Sequence, residues 1–306
     1  MRVVITGGSG LIGAALAHDL GAAGHDVVVL SRDPGKLRSL PANVRAARWD
    51  GESAAGWADL AAGPDTAIVH LAGESIAGGR WTAERKRRIS DSRLRSSAAV
   101  VQAIEQAASQ PRVLLQGSAV GYYGPCGDEE VPEEHPPGDD FLARLCVEWE
   151  ASTAATPAID ALGVRRAILR TGVVLARDGG ALPKMALPFR MRIGGPLGSG
   201  RQWLPWIHLA DEVGAIRFLL EDDAARGPFN LTAPTPARNR DLGAALGKVL
   251  HRPSLLPTPG FALHLALGEM AGMLLNGQRA VPKALLARGY RFRFPELGPA
   301  LSDLLD

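Results

Sequence analysis

The stretch QGSAVGYYG, Gln116 to Gly124, sets a serine and two adjacent tyrosines immediately after an apolar run. A phenol acts as an acid or base on a substrate oxygen when a neighbouring cation tunes its pKa, so Tyr122 and Tyr123 are examined first as candidate acids. A second chemical signal lies at the N-terminus, where TGGSGLIG carries Gly7, Gly10 and Gly13 in the spacing GxxGxxG. The first glycines permit a tight turn and let a pyrophosphate reach backbone N–H groups, those of Leu11 and Ile12 included. Gly13 permits close helix packing against the preceding strand. That chemistry is dinucleotide binding.

The next strand, DVVVLSRDPGK, ends without an acidic residue to accept a ribose 2′-hydroxyl and offers Ser31 and Arg32 instead, with Lys36 nearby. A guanidinium there grips a 2′-phosphate, so NADP(H) is favoured over NAD(H); the alternative is that Arg32 is a solvated cation and Asp33 takes the ribose. Asp50, at the end of RWD, either accepts from the adenine amino group or caps a turn. Leu71, Ala72 and Gly73, in AIVHLAGE, fall where backbone must pass close to the cofactor's ribose and phosphates. His70 is expected to be a packed strand residue, since nothing nearby would orient it as a base.

These residues need a scaffold that brings strand ends together. Short β-branched runs (RVVIT, DVVVL, VRAARW, AIVHLAG, RVLLQGS, VRRAILR) alternate with helical patterns starting near Leu11, over about Trp81–Ala108 and over about Phe141–Leu162. Such alternation predicts an α/β fold, a doubly wound Rossmann-like parallel sheet. After Arg170 the rhythm breaks into Gly/Pro-rich segments, then a strand PWIH, a helix from about Ala210 and a strand GPFNLTA. We therefore expect an NADP-binding domain over 1–170, a mixed segment over 171–235 completing the sheet and the substrate cleft, and a smaller, mostly helical C-terminal region over 236–306. The apolar ALHLALGEMAGMLL is expected to pack in the core of that region or form an interface.

The composition suits an ordinary soluble protein: 306 residues, 34 Lys and Arg against 32 Asp and Glu, and a net charge of +2, which does not suggest a nucleic-acid partner. The chain shows no signal-peptide pattern and no apolar segment long enough to span a bilayer, so the expectation is a cytoplasmic protein without a membrane partner, with a small-molecule substrate and with a homodimer left open as its assembly. Cys126 and Cys146 are the only cysteines and lack a CxxC or Cys/His companion, so two reduced thiols are expected and no metal site.

Five blocks in order, GGRWTAERKRRISDSR, GSAVGYYG, LRTGVVLARDGGALPKM, GGPLGSGRQWLPWIHLAD and LGEMA with VPKALLARGYRF, resemble the atypical, epimerase-like branch of the extended short-chain dehydrogenase/reductase superfamily that carries a C-terminal domain of unknown function. The resemblance implies an NADP(H)-binding oxidoreductase or epimerase working by hydride transfer on a small polar or nucleotide-linked substrate. In that superfamily a tyrosine acts on the substrate oxygen, a lysine four residues later lowers its pKa, and a serine orients the substrate. Here the residues four positions after the three tyrosines are Cys126, Gly127 and Phe294, so no YxxxK exists. In the helix where the pair belongs, Asp140 or Phe141 takes the tyrosine position and Arg144 or Leu145 the lysine position.

The resemblance therefore leaves Ser118 (or Ala119) as substrate-orienting, Tyr123 as a substitute acid, and Arg144 and Lys184 as replacement cations. Arg93, Tyr122, Arg201 and Trp203 are the candidate substrate contacts, the last two on a loop that could form a lid. His208 and Asp211 fit a strand-to-helix turn, with Asp211 in the N-cap region. A glycine loop without the acid and its lysine also suits a second class, a non-catalytic NADP(H)-binding regulator or scaffold linked to cell division.

Overall fold

A computed structural model describes residues 1–37, 40–154 and 163–306. Seven parallel strands form the central sheet: β1 (Arg2–Thr6), β2 (Asp26–Ser31), β3 (Val44–Arg48), β4 (Thr66–His70), β5 (Val113–Ala119), and, after the short β6 (Glu130–Val131), β7 (Arg165–Thr171). After β8 (Val173–Ala176), β9 (Gly179–Gly180), β10 (Trp203–Leu204) and β11 (Trp206–His208), the seventh sheet strand is β12 (Gly227–Leu231), and the order is β12-β7-β5-β4-β1-β2-β3. The order reverses between β1 and β4, so the C-terminal ends of these two strands flank the crevice where open α/β sheets bind ligands.

The strands are apolar on both sides because both faces are covered. Val3, Ile5, Val27 and Val69 face a layer of α1 (Leu11–Ala22) and, further along, α5 (Leu209–Glu221), through Leu16, Leu20, Ile216 and Leu219. Val4, Val28, Ile68 and Leu114 point the other way, onto α2 (Ala83–Gln106) through Val100, Ala103 and Ile104. The next helix on that side, α3 (Phe141–Ser152), is shorter than the predicted 141–162; residues 155–162 lie outside the described part of the chain. Thr82 caps α2 by accepting the Arg85 amide at 3.2 Å, which leaves Trp81 outside the helix.

The chain beyond β7 builds a lobe against the strand ends. β8, β9 and β11 form a small sheet of their own, and α4 (Leu182–Arg190), α6 (Asn239–Val249) and the later α10 (Leu297–Leu305) close a third core around Trp206, Leu242 and Leu301. Between them lie β13 (Ala237–Arg238), α7 (Gly260–Leu267), α8 (Gly272–Leu275), β14 (Arg279–Ala280) and α9 (Lys283–Ala287). β14 pairs with β6, tying the C-terminal region to the Rossmann half. Asp211, in the first turn of α5, accepts the Arg293 and Phe294 amides at 2.7 and 2.8 Å. It pins this region rather than capping α5; the cap is His208, whose Nδ1 accepts the Ala210 amide at 3.0 Å.

Candidate active site

The glycine loop runs from β1 into α1. Gly7 has φ +71°, and a Cβ there would come 2.7 Å from the Leu71 carbonyl carbon; on Gly13 it would come 2.5 Å from the Gly7 oxygen. The backbone at Gly7 is thus packed against the Leu71–Ala72 segment and that at Gly13 against the turn itself, with no room for a side chain at either position. Gly10 opens α1 without a side-chain cap, and among the described residues the N–H groups of Leu11, Ile12 and Gly13 find no acceptor. Three free donors at a helix N-terminus make an anion site.

At the end of β2, Ser31 is buried and its Oγ accepts the Asp33 amide at 3.2 Å. Arg32 is exposed and, among the described residues, has no ion-pair partner. Asp50 is occupied as a turn cap: it accepts the amides of Glu52 and Ser53 and the Ser53 hydroxyl, at 2.7–2.8 Å, and these bonds hold its carboxyl below the usual range. The turn-cap alternative for Asp50 is the one the geometry displays. His70 is buried, with ring nitrogens 2.6 Å from Thr6 Oγ1 and 3.1 Å from Ser97 Oγ, and burial pushes its pKa down to about 3. It is neutral packing in the strand.

A cavity of about 1250 Å³ opens at the C-terminal ends of β5 and β7 and extends under the C-terminal lobe. Gly179 and Gly180 line it, and a Cβ on Gly180 would come 2.9 Å from Leu11 Cδ2, so the start of α1 adjoins the cavity wall. Arg93 reaches inward. Its guanidinium lies against Gly73 and 4.9 Å from the Trp149 ring, and donates to the carbonyls of Glu74 and Ile89 at 3.0 Å; burial lowers its pKa. Lys184 stands on the cavity lining, exposed, with no partner among the described residues.

The remaining candidates are elsewhere. Strand alternation turns Ser118 away from the cavity: its hydroxyl donates to Glu150 Oε1 at 2.7 Å, while Ala119, without a hydroxyl, lines the wall. Tyr123 is 2 % exposed and lies off the cavity; its hydroxyl donates to Asn230 Oδ1 at 2.7 Å and accepts from Arg170 Nη1 at 3.0 Å. Burial pushes this phenol up to about 12, opposite to the direction a catalytic acid requires. Tyr122 lies face-on to Arg170, 3.5 Å from its guanidinium, rather than toward the cavity. Arg144 is on the exposed side of α3, bonded to the Asp139 carbonyl. Arg201 borders a separate recess of about 220 Å³. Trp203 lines both spaces, with Nε1 donating to Asp128 at 3.0 Å and Arg238 over its ring.

What draws the serine and tyrosines away is a buried network that sequence reasoning missed. Arg170 forms two parallel bonds of 2.9 Å to Glu150 and a third, of 3.0 Å, to the Glu133 carbonyl, and its ion pair holds its pKa above the ordinary arginine value although burial opposes it. Glu133 in turn accepts the Asn230 amide at 3.0 Å. The signal was available: an arginine inside the apolar strand AILR and a glutamate in the apolar stretch LCVEWE need partners when buried. Glu212 was also missed. It is fully buried, accepts the Thr171 hydroxyl at 2.8 Å through Oε1, leaves Oε2 unpartnered, and has its pKa raised by burial to about 8. Thr171 itself lines the cavity.

Residues 3–232 match the model of the NAD dependent epimerase/dehydratase family, and residues 258–304 match a domain of unknown function, DUF1731. The chain is 38% identical to the epimerase family protein YfhF of Bacillus subtilis over 100% of this chain and 98% of the relative. It is 42% identical to the epimerase family protein Mb2239 of Mycobacterium bovis over 98% and 96%. The solved structure of the human epimerase family protein SDR39U1 with NADPH superposes with a TM-score of 0.89 at 37% identity, covering 99% of both chains. A Bacillus cereus UDP-glucuronic acid 4-epimerase holding UDP-glucuronic acid and NAD superposes at 0.79 with 15% identity, over 99% of this chain and 98% of that one, which shows a common fold. With its glycine loop, its sheet order and relatives matched end to end, this chain belongs to the NAD dependent epimerase/dehydratase family of extended short-chain dehydrogenase/reductases, in the branch carrying the DUF1731 C-terminal domain.

Proposed function

We propose that the protein is an NADP(H)-dependent oxidoreductase whose substrate lies in the large cavity, with Arg93, from α2, beside the reacting oxygen and taking over the charge-stabilising role of the missing tyrosine. One observation carries the cofactor: the uncapped start of α1, where the amides of Leu11, Ile12 and Gly13 find no acceptor among the described residues and Gly7 and Gly13 leave no room for a Cβ. Those donors would hold the pyrophosphate, and Arg32, which has no ion-pair partner among the described residues, would pair with a 2′-phosphate. The NADPH in the human relative's structure supports this choice.

Bound there, the cofactor would supply the hydride donor or acceptor. Arg93 keeps its charge near neutral pH and, with one edge spent on carbonyls and its plane beside Trp149, is preorganised to stabilise negative charge on a carbonyl oxygen. Because an arginine retains its protons, the proton completing an alcohol comes from water or from Lys184 on the lining.

Tryptophan quenching by NADPH and NADH, in wild type and Arg32→Ala, tests the cofactor. Loss of charge-assisted bonds of about 1.5–3 kcal/mol would weaken NADPH by roughly 10- to 100-fold and leave NADH unchanged. Binding of neither nucleotide sinks the reading. Tight NADPH binding with no oxidation across a broad panel of carbonyls would remove the oxidoreductase and leave a binding protein.

A further inference from the structure

The cavity carries information about substrate class. We propose that it takes a bulky, mainly hydrocarbon carbonyl compound rather than a nucleotide-linked sugar; this deepens the oxidoreductase reading above and rests on it.

Among the described residues, four charged side chains line the cavity: Arg93, Asp140, Lys184 and Glu269. Asp140 is occupied in capping α3, accepting the Ala143 amide at 2.8 Å, and Glu269 is ion-paired with Lys86. The formal charges cancel, and one of the two cations, Arg93, already spends donors on backbone carbonyls. A nucleoside diphosphate brings two phosphate charges, whose desolvation needs several cations or a nest of amides. Two cations set against two carboxylates do not supply that.

The walls point to what does fit. Leu142 and Leu145 of α3, Met185 and Phe189 of α4, and Met273 and Leu274 of the C-terminal region enclose the space. Three of the chain's five methionines, Met185, Met270 and Met273, lie on this lining, and flexible thioethers let a wall adapt to an irregular hydrocarbon. The volume exceeds the roughly 300–1000 Å³ of ordinary small-molecule pockets, so there is room for a body larger than a sugar beside a nicotinamide ring. The apolar lining also reaches the surface: Ile193 is a wall residue and is 53 % exposed, a greasy doorstep for a hydrophobic ligand. Within such walls Arg93 can orient a single carbonyl oxygen; of the other polar side chains on the lining, Lys184 is a single cation and Asn239, Asn276 and Gln278 are uncharged, and they do not form a phosphate site.

The test uses prodan, a naphthyl ketone whose emission shifts to the blue when it leaves water, added to the full-length protein with and without saturating NADPH. The expected result is micromolar binding that millimolar UDP-glucose does not displace. Ile193→Lys, at an exposed position, and Met273→Lys, at a half-buried one, should each weaken prodan at least tenfold, with the melting temperature measured on the same samples to confirm folding. Leu265→Lys, on an outward residue of α7 that is 79 % exposed, should leave it unchanged. Displacement of prodan by UDP-glucose overturns the proposal, as does binding that is insensitive to the wall variants and lost with Leu265→Lys. NADPH affinity, measured by quenching on the same samples, separates the two readings: wall-dependent prodan binding without NADPH binding would keep the apolar pocket and discard the oxidoreductase.

Discussion

At Tyr123 the hydroxyl is committed on both sides, donating to Asn230 and accepting from Arg170, and burial holds its pKa near 12. Tyr123→Phe is therefore expected to cost about 1–3 kcal/mol in urea unfolding, by leaving buried partners unsatisfied, with NADPH affinity and any turnover unchanged. A turnover loss of more than a hundredfold at unchanged stability would make Tyr123 the acid after all. Glu212 yields a pH prediction. Its folded pKa of about 8 lies above the ordinary carboxylate value, so between about 5 and 8 the folded chain retains a proton that the unfolded chain has released. Stability contributed by this group is present at low pH and is lost as pH rises through that window, then stays level. His70 works in the opposite direction at lower pH: its pKa near 3 makes stability rise between about 3 and 6.5. Urea midpoints between about pH 6.5 and 8, above the His70 window and below that of the buried thiols Cys146 and Cys126, therefore report mainly Glu212, and Glu212→Gln should flatten the slope there.

At the scale of elements, the β1–α1 junction is the least forgiving feature of the fold. A methyl on Gly13 would meet backbone atoms at 2.5 and 2.6 Å, which cannot rotate away as a side chain would. Gly13→Ala should displace the start of α1 from the strand and reduce NADPH affinity at least tenfold by fluorescence titration. Gly127→Ala, with nothing within 4 Å of the new methyl, should change neither affinity nor melting temperature. The C-terminal apolar stretch shows how an element departs from its periodicity. ALHLALGEMAGMLL forms two short helices around a 3₁₀ turn; α7 buries no residue, while Leu267, Met270, Met273 and Leu274 wall the cavity. Its buried residues are Met270 and Ala271, so the expected core packing is confined to the 3₁₀ turn, and the stretch is not one continuous helix.

For the whole molecule, the Arg170–Glu150 pair joins β7 to α3, and Arg170, Glu133 and Asn230 extend that junction toward β6 and the C-terminal region. Glu150→Ala would leave a guanidinium buried without its counter-ion, a loss of roughly 3–5 kcal/mol, measurable as a lower urea midpoint. Replacing both partners, as in Glu150→Leu with Arg170→Met, should recover much of that loss, because two apolar groups of similar size incur no desolvation. No helix among the described residues is long and apolar enough to cross a membrane.

Strand runs, the glycine spacing and the change of rhythm after Arg170 were all legible in the sequence by itself, because local patterns of apolar burial and turn chemistry decide them. The same holds for Arg32 at the end of β2 and for the missing YxxxK, since each is a matter of residue type and spacing along the chain. The tertiary structure alone decided which polar side chains face the cavity. One residue of strand alternation turns Ser118 onto Glu150 and leaves Ala119 at the wall; a buried arginine claims both tyrosines; a helix rotation sends Arg144 to solvent and Arg93 inward. Those outcomes depend on partners 20 to more than 100 residues away, such as Arg170 for Glu150 and Asn230 for Tyr123, and no window of sequence contains both members of such a pair.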